Sequence, residues 1–160
     1  MYTNKLIIGW IAAAGMLTAA AGCRVVSVDE TGPVAWTRAY LVSPAPGSPA
    51  VLYLWITNPT SHADTATAVR VIDADSAQMH RTMAMGDGME HMAPEPTLAV
   101  PAHDTVKFVP GGLHIMVFGL GSKVAPGDST AVTVTFRKAG EVQGWAQVIT
   151  YAQVDSLVLR

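Results

Sequence analysis

An antiparallel β-sandwich or barrel is the fold class that this sequence predicts. Three observations carry it. Segments rich in Val, Thr, Tyr and Trp recur along the chain. Turn-forming residues separate them, and no stretch keeps helical periodicity over three turns. Strands at this spacing, with no crossover helices between them, pair antiparallel.

The strands follow in order. Val34–Tyr40 (VAWTRAY) ends before a loop with prolines at 44, 46 and 49. Ala50–Thr57 (AVLYLWIT) is the most hydrophobic segment, stopped by Asn58-Pro59-Thr60-Ser61. Thr65–Ile72, Thr97–Val100, Thr105–Val109, Leu113–Phe118, Ser129–Arg137 and Gln143–Ala152 complete the set. Pro110-Gly111-Gly112 and Pro126-Gly127-Asp128 are turns, because Pro fixes φ and Gly accepts positive φ. There is no internal repeat and no sign of a second domain.

Composition excludes several classes. The chain has 160 residues, 50% hydrophobic and 14% charged, so it can bury a core and is not an intrinsically disordered polyelectrolyte. Ten Lys+Arg against twelve Asp+Glu give a net charge of −2. No basic tract is present, which argues against a nucleic-acid partner. The one cysteine, Cys23, excludes a disulfide framework or a cysteine cluster within one chain.

The first segment reads as an address. Lys5 precedes an uncharged run, rich in Ala and Gly, that ends Ala20-Ala21-Gly22-Cys23. A charged start, an apolar middle and small residues before a cut make a secretory signal. The last four residues resemble a bacterial lipobox, with Ala20 where Leu is more usual. The expectation is a signal peptide over 1–22, a lipidated Cys23, a short tether over 23–32 and one domain over 33–160. Such a protein is exported and anchored by its lipids to a bacterial membrane, facing the periplasm or the exterior.

Methionine is where the chain departs from the ordinary. Five methionines, Met79, Met83, Met85, Met89 and Met92, fall in the segment MHRTMAMGDGMEHM. Met116 follows, and His80, His91 and His114 share the region. Methionine commonly fills gaps in cores. Here Gly86-Asp87-Gly88 predicts an exposed loop, where packing gives no reason for several thioethers. Chemistry does give one: thioether sulfur is a soft neutral donor that favours Cu(I), and imidazole binds copper too. Thioethers carry no proton to lose and form no disulfides, which suits an oxidising compartment. In a strand over 113–118, His114 and Met116 share one face while Ile115 and Val117 take the other.

The spacing is distinctive. Eleven residues separate His80 from Met92, twenty-one separate Met92 from His114, and Met116 lies two further on. This resembles the ligand pattern of the PCuAC family of periplasmic copper chaperones, His-x11-Met-x21-His-x-Met. VPAHDTVKFVPGGLHIMVFGL, PGD and VTVTFRKAG are also similar to that family, and the likeness covers residues 34–142. It implies a cupredoxin-like Greek-key β-sandwich or barrel binding Cu(I) through His80, Met92, His114 and Met116. It further implies delivery of copper to the CuA site of cytochrome c oxidase, directly or through a thiol-bearing assembly factor. Arg81 stands where relatives often carry Met. The final segment, GWAQVITYAQVDSLVLR, lacks the His- and Met-rich tail of many relatives. Met83, Met85, Met89 and His91 offer a weaker second site or a transfer path, or else are plain surface residues.

The work implied is binding and handover rather than catalysis. A blue-copper centre needs a cysteine thiolate, and Cys23 precedes the domain. Zinc prefers Cys, His or carboxylate to two thioethers. No nucleophile motif of known spacing occurs. His62 and His103, in turn-like segments, read as surface residues. Asp87 and Glu90 solubilise the loop or attract a cation or a basic partner patch. Two other readings stand beside delivery: sequestration of copper for tolerance, and a metal-free adhesion or assembly lipoprotein of β-sandwich type.

Overall fold

The structure, a computed structural model, describes residues 33–45, 47–86, 88–121 and 124–159. The expected signal peptide, Cys23 and the tether lie outside the described residues, as does Asp87. Among the described residues no helix is long and apolar enough to cross a membrane.

Ten strands follow one another: β1 (Ala35–Val42), β2 (Ala50–Asn58), β3 (Asp64–Val71), β4 (Ser76–Gly86), β5 (Met89–Pro94), β6 (Leu98–Val100), β7 (Asp104–Lys107), β8 (Leu113–Phe118), β9 (Ser129–Phe136) and β10 (Gly140–Ile149). The pairing runs β4-β8-β2-β1-β10-β9-β3, and a β3–β4 contact at Val69↔Ala77 returns it to its start. β5, β6 and β7 are appended to β4, β3 and β2. The all-β expectation holds, with two differences in detail. β1 and β10 run parallel, in the register Tyr40↔Gln147, Leu41↔Val148 and Val42↔Ile149. These strands are the first and last in the sequence, so no tight turn links them and their relative direction is free of hairpin geometry.

Alternation explains the core. Leu52, Leu54 and Ile56 of β2 are sealed from solvent, as are Ile115 and Val117 of β8 and Val132 and Val134 of β9. Phe108, also sealed, joins the same cluster. At about 25 cal/mol per Å² of apolar surface removed from water, these side chains supply the main drive to fold. A smaller cluster forms where the chain turns after β10. There Val154 and Val158, one helical turn apart in and after α1 (Val154–Leu157), pack with Val42 and Ile149. The sequence shows no helix here because one turn carries too little periodicity to register.

The other difference concerns the methionine segment. Instead of a loop it forms a β-hairpin, β4 and β5, paired from His80↔Pro94 to Gly86↔Met89 with a bulge between Ala84 and Gly86. Positive φ at Gly86 (85°) and Gly88 (75°) turns the chain tightly enough to pair the flanks.

A buried carboxylate ties β3 to the turn after β9. Asp64 accepts hydrogen bonds from the backbone N–H groups of Thr65 (2.6 Å), Lys138 (2.9 Å) and Ala139 (2.9 Å). Burial alone would raise its pKa. The three N–H donors and the Lys138 charge outweigh burial and hold it below the ordinary value of 3.8. The unfolded chain therefore binds a proton more readily than the folded one. Asp64 contributes stability that is present above pH 3.8 and lost as pH falls through its lower folded value. Urea midpoints measured at descending pH are expected to drop in that acid window. Asp64→Ala should lower the neutral midpoint and flatten the acid drop.

Candidate metal centre

Three adjacent strands, β5, β4 and β8, present the residues singled out by spacing. β4 and β8 pair antiparallel, placing His80 directly opposite His114 and Gln78 opposite Met116. β4 and β5 place Thr82 opposite Met92. Directly paired residues point to the same side of a sheet, and residues two apart on one strand share that side. His80, His114, Met92 and Met116 therefore project from one face. Met116 is a diagonal neighbour of His80 on one flank, and Met92 is a diagonal neighbour on the other. Diagonal positions about 7–8 Å apart remain within reach of long side chains, and methionine has three rotatable bonds with which to reach.

The two imidazoles are the ordered part. Their rings stack with centroids 6.0 Å apart and planes 21° from parallel. Both residues are buried, His80 at 8% and His114 at 7% exposure. His80 Nδ1 lies 3.2 Å from the Gln78 carbonyl oxygen, and His114 Nδ1 lies 3.1 Å from that of Gly112. A carbonyl only accepts, so in each bond Nδ1–H is the donor. The neutral ring then carries its lone pair on Nε2. A backbone acceptor on one nitrogen, fixing tautomer and ring orientation for the other, is how proteins prepare histidine as a metal ligand. The two carbonyls were not singled out from sequence. Their signal was the position two residues before each histidine, with Gly112 closing the Pro110-Gly111-Gly112 turn.

The methionines divide. Met79 is buried in the core opposite Ile115, so for it the gap-filling role holds. Met92 is 56% exposed and Met116 half-buried. The face thus has a buried imidazole pair flanked by one open and one half-covered thioether. Among the described residues no three of His, Cys, Asp and Glu converge, so the soft donors beside the pair are sulfurs. Arg81 points away from the imidazoles, and its Nε donates to Glu95 Oε2 at 2.9 Å. Together with the Glu95 N–H bond to the Met79 carbonyl (2.8 Å), that ion pair pins the hairpin base. Glu90 shares the Met92 face, opposite Ala84. Met83 lies directly opposite His91 on the other face of the hairpin. His62 and His103 are exposed.

Residues 34–148 match the family described as LpqE-like lipoproteins. The chain belongs to the LpqE-like family. The match spans β1 to nearly the end of β10, so it takes in all ten strands. No curated protein matches this LpqE-like chain in sequence. Solved structures do match it in shape. A copper-bound PCuAC domain from PmoF2 is similar at 27% identity and a TM-score of 0.63, covering 75% of this chain and 95% of that one. The apo PmoF2 PCuAC domain is similar at 26% identity and a TM-score of 0.62, covering 75% and 92%. The solution structure of Cu(I)-DR1885 from Deinococcus radiodurans is 22% identical with a TM-score of 0.62, covering 76% and 82%, and it supports the fold alone. The LpqE-like chain therefore has a PCuAC-type, cupredoxin-like β-fold.

Proposed function

We propose that this LpqE-like protein is an extracytoplasmic Cu(I) carrier that holds the ion between His80, His114, Met92 and Met116 and passes it to an acceptor protein. The observation that carries the reading is the His80↔His114 pair with both Nδ1 atoms engaged by backbone carbonyls. Two Nε2 lone pairs and two thioethers on one face form a neutral donor set, and that set suits a soft monovalent ion. The similarity to a copper-bound PCuAC domain supports it.

The same geometry suggests how the ion leaves. Four neutral ligands leave the complex with the ion's single positive charge, which is costly to bury deeply. Met92 is exposed and hangs from a hairpin, so it is the donor most easily displaced. An incoming thiolate can replace it first, then Met116, while the imidazoles hold the ion from below. Thiolate binds Cu(I) more strongly than thioether does, so transfer to a cysteine-bearing acceptor runs downhill. The acceptor we favour is the CuA subunit of cytochrome c oxidase or a thiol-bearing factor that serves it. The family description supports an exported protein anchored through a lipid on Cys23, with residues 33–160 as the working domain. No catalytic step is required.

The test is a Cu(I) titration of the full chain in detergent, carrying Cys23→Ser, against a chromogenic Cu(I) chelator. One tight equivalent is expected. Mixing the loaded protein with an apo CuA domain should then move the copper to the acceptor. Retention of the ion would instead favour sequestration, and absence of tight binding would favour a metal-free assembly role.

A further inference from the structure

The β4–β5 hairpin has a second face, and it carries soft donors of its own. Met83 on β4 is directly opposite His91 on β5, so the two side chains project together, away from the His80–Met92 side. Met89 lies two residues before His91 and shares that side. Met85 lies two residues beyond Met83, at the bulge between Ala84 and Gly86. Met83, Met85 and Met89 are 42%, 64% and 65% exposed, and His91 is exposed as well. Three large apolar side chains left this exposed on a two-stranded projection contribute little to a core. A bulge commonly re-aims a side chain beside a functional site.

We propose that Met83, Met89 and His91, with Met85 from the bulge, form a second, weaker Cu(I) site on this opposite face. Its task is to receive the ion before it reaches the imidazole pair. The donor chemistry is the same soft thioether and imidazole set. Two features make it weaker than the first site. It has one imidazole in place of two, and all four of its side chains are solvent-exposed, so binding must order them. Met92 and His91 are adjacent on β5 and face opposite ways. The two sites thus share one strand at its rim, and an ion passing around that edge meets a thioether on either side. The proposal rests on the hairpin register, which also places Met92, whereas His80, His114 and Met116 of the main site are placed by the β4–β8 register.

The experiment follows methionine methyl signals by NMR. The full chain with Cys23→Ser, in detergent micelles and labelled at methionine Cε, is titrated with Cu(I) under reducing conditions. The first equivalent is expected to shift Met92 and Met116 and leave Met83 and Met89 in place. The second is expected to shift Met83 and Met89. A Met83→Leu/His91→Ala variant should keep the first equivalent and lose the second. In a His80→Ala variant the tight equivalent should vanish while the hairpin signals still move. Hairpin methyl signals that stay fixed through two equivalents would overturn the second site. So would a second equivalent that persists in the Met83→Leu/His91→Ala variant. Failure of the main site would show separately, as Met92 and Met116 signals that never move.

Discussion

Met92→Leu is expected to weaken Cu(I) binding by roughly a hundredfold without changing thermal stability, and His114→Ala to weaken it at least as much. A factor of a hundred corresponds to about 2.8 kcal/mol, a reasonable cost for removing one donor of four. Leucine nearly conserves the volume of methionine while deleting the sulfur. Met92 is 56% exposed, so little packing is disturbed. The affinity loss can then be assigned to the thioether rather than to unfolding. His114→Ala removes a buried ring stacked on His80 and will lower the melting temperature somewhat. A folded β-rich circular dichroism spectrum must therefore accompany that measurement. Met79→Leu is the control. Met79 is buried against the core, so its variant should bind Cu(I) like the parent. Chelator competition on all three variants checks the assignment, and equal affinities throughout would break it.

The second large effect lies far from the metal face. Asn58→Ala is expected to destabilise the fold by about 3 kcal/mol, read from urea unfolding. Asn58 ends β2 and is sealed from solvent. Its Nδ2 donates to the carbonyls of His62 (2.9 Å) and Val100 (3.1 Å). Its Oδ1 accepts from the Thr60 N–H (3.1 Å) and the Thr60 hydroxyl (2.7 Å). Alanine satisfies none of these, and an orphaned buried polar group costs about 1–3 kcal/mol on its own. Asn58→Asp should be worse at neutral pH, because a carboxylate would face two carbonyl oxygens. Acidification should partly rescue that variant by restoring a donor. A neutral-pH midpoint equal to that of Asn58→Ala would contradict the donor assignment.

These residues differ in how plainly the sequence announced them. β8 was legible because Leu113, Ile115 and Val117 alternate with His114 and Met116; the three aliphatic side chains are buried as that alternation implies, while the burial of His114 was not foretold. β2 was legible from its long apolar run. The hairpin was not. Every residue of β5 except Ala93 is exposed, as is the outer end of β4, so neither strand has the half-buried alternation that marks a strand. Its glycines gave a turn correctly, but polar flanks made the whole segment look like loop. The candidate donors themselves were visible from composition and spacing. Which face each took was not, since that depends on register with a partner strand. The parallel β1–β10 contact was hidden for a related reason: no local pattern encodes a pairing between strands about a hundred residues apart.

That last contact has a bearing on when the protein can mature. One flank of β1 stays open until Gln147–Ile149 arrive, because β10 is its neighbour there. Synthesis or secretion must deliver nearly the entire polypeptide before the ring can shut. Long-range closure of this kind slows folding. Until that strand docks, the open flank of β1 is an unpaired template, so the unfinished chain is exposed to edge-to-edge association with other chains.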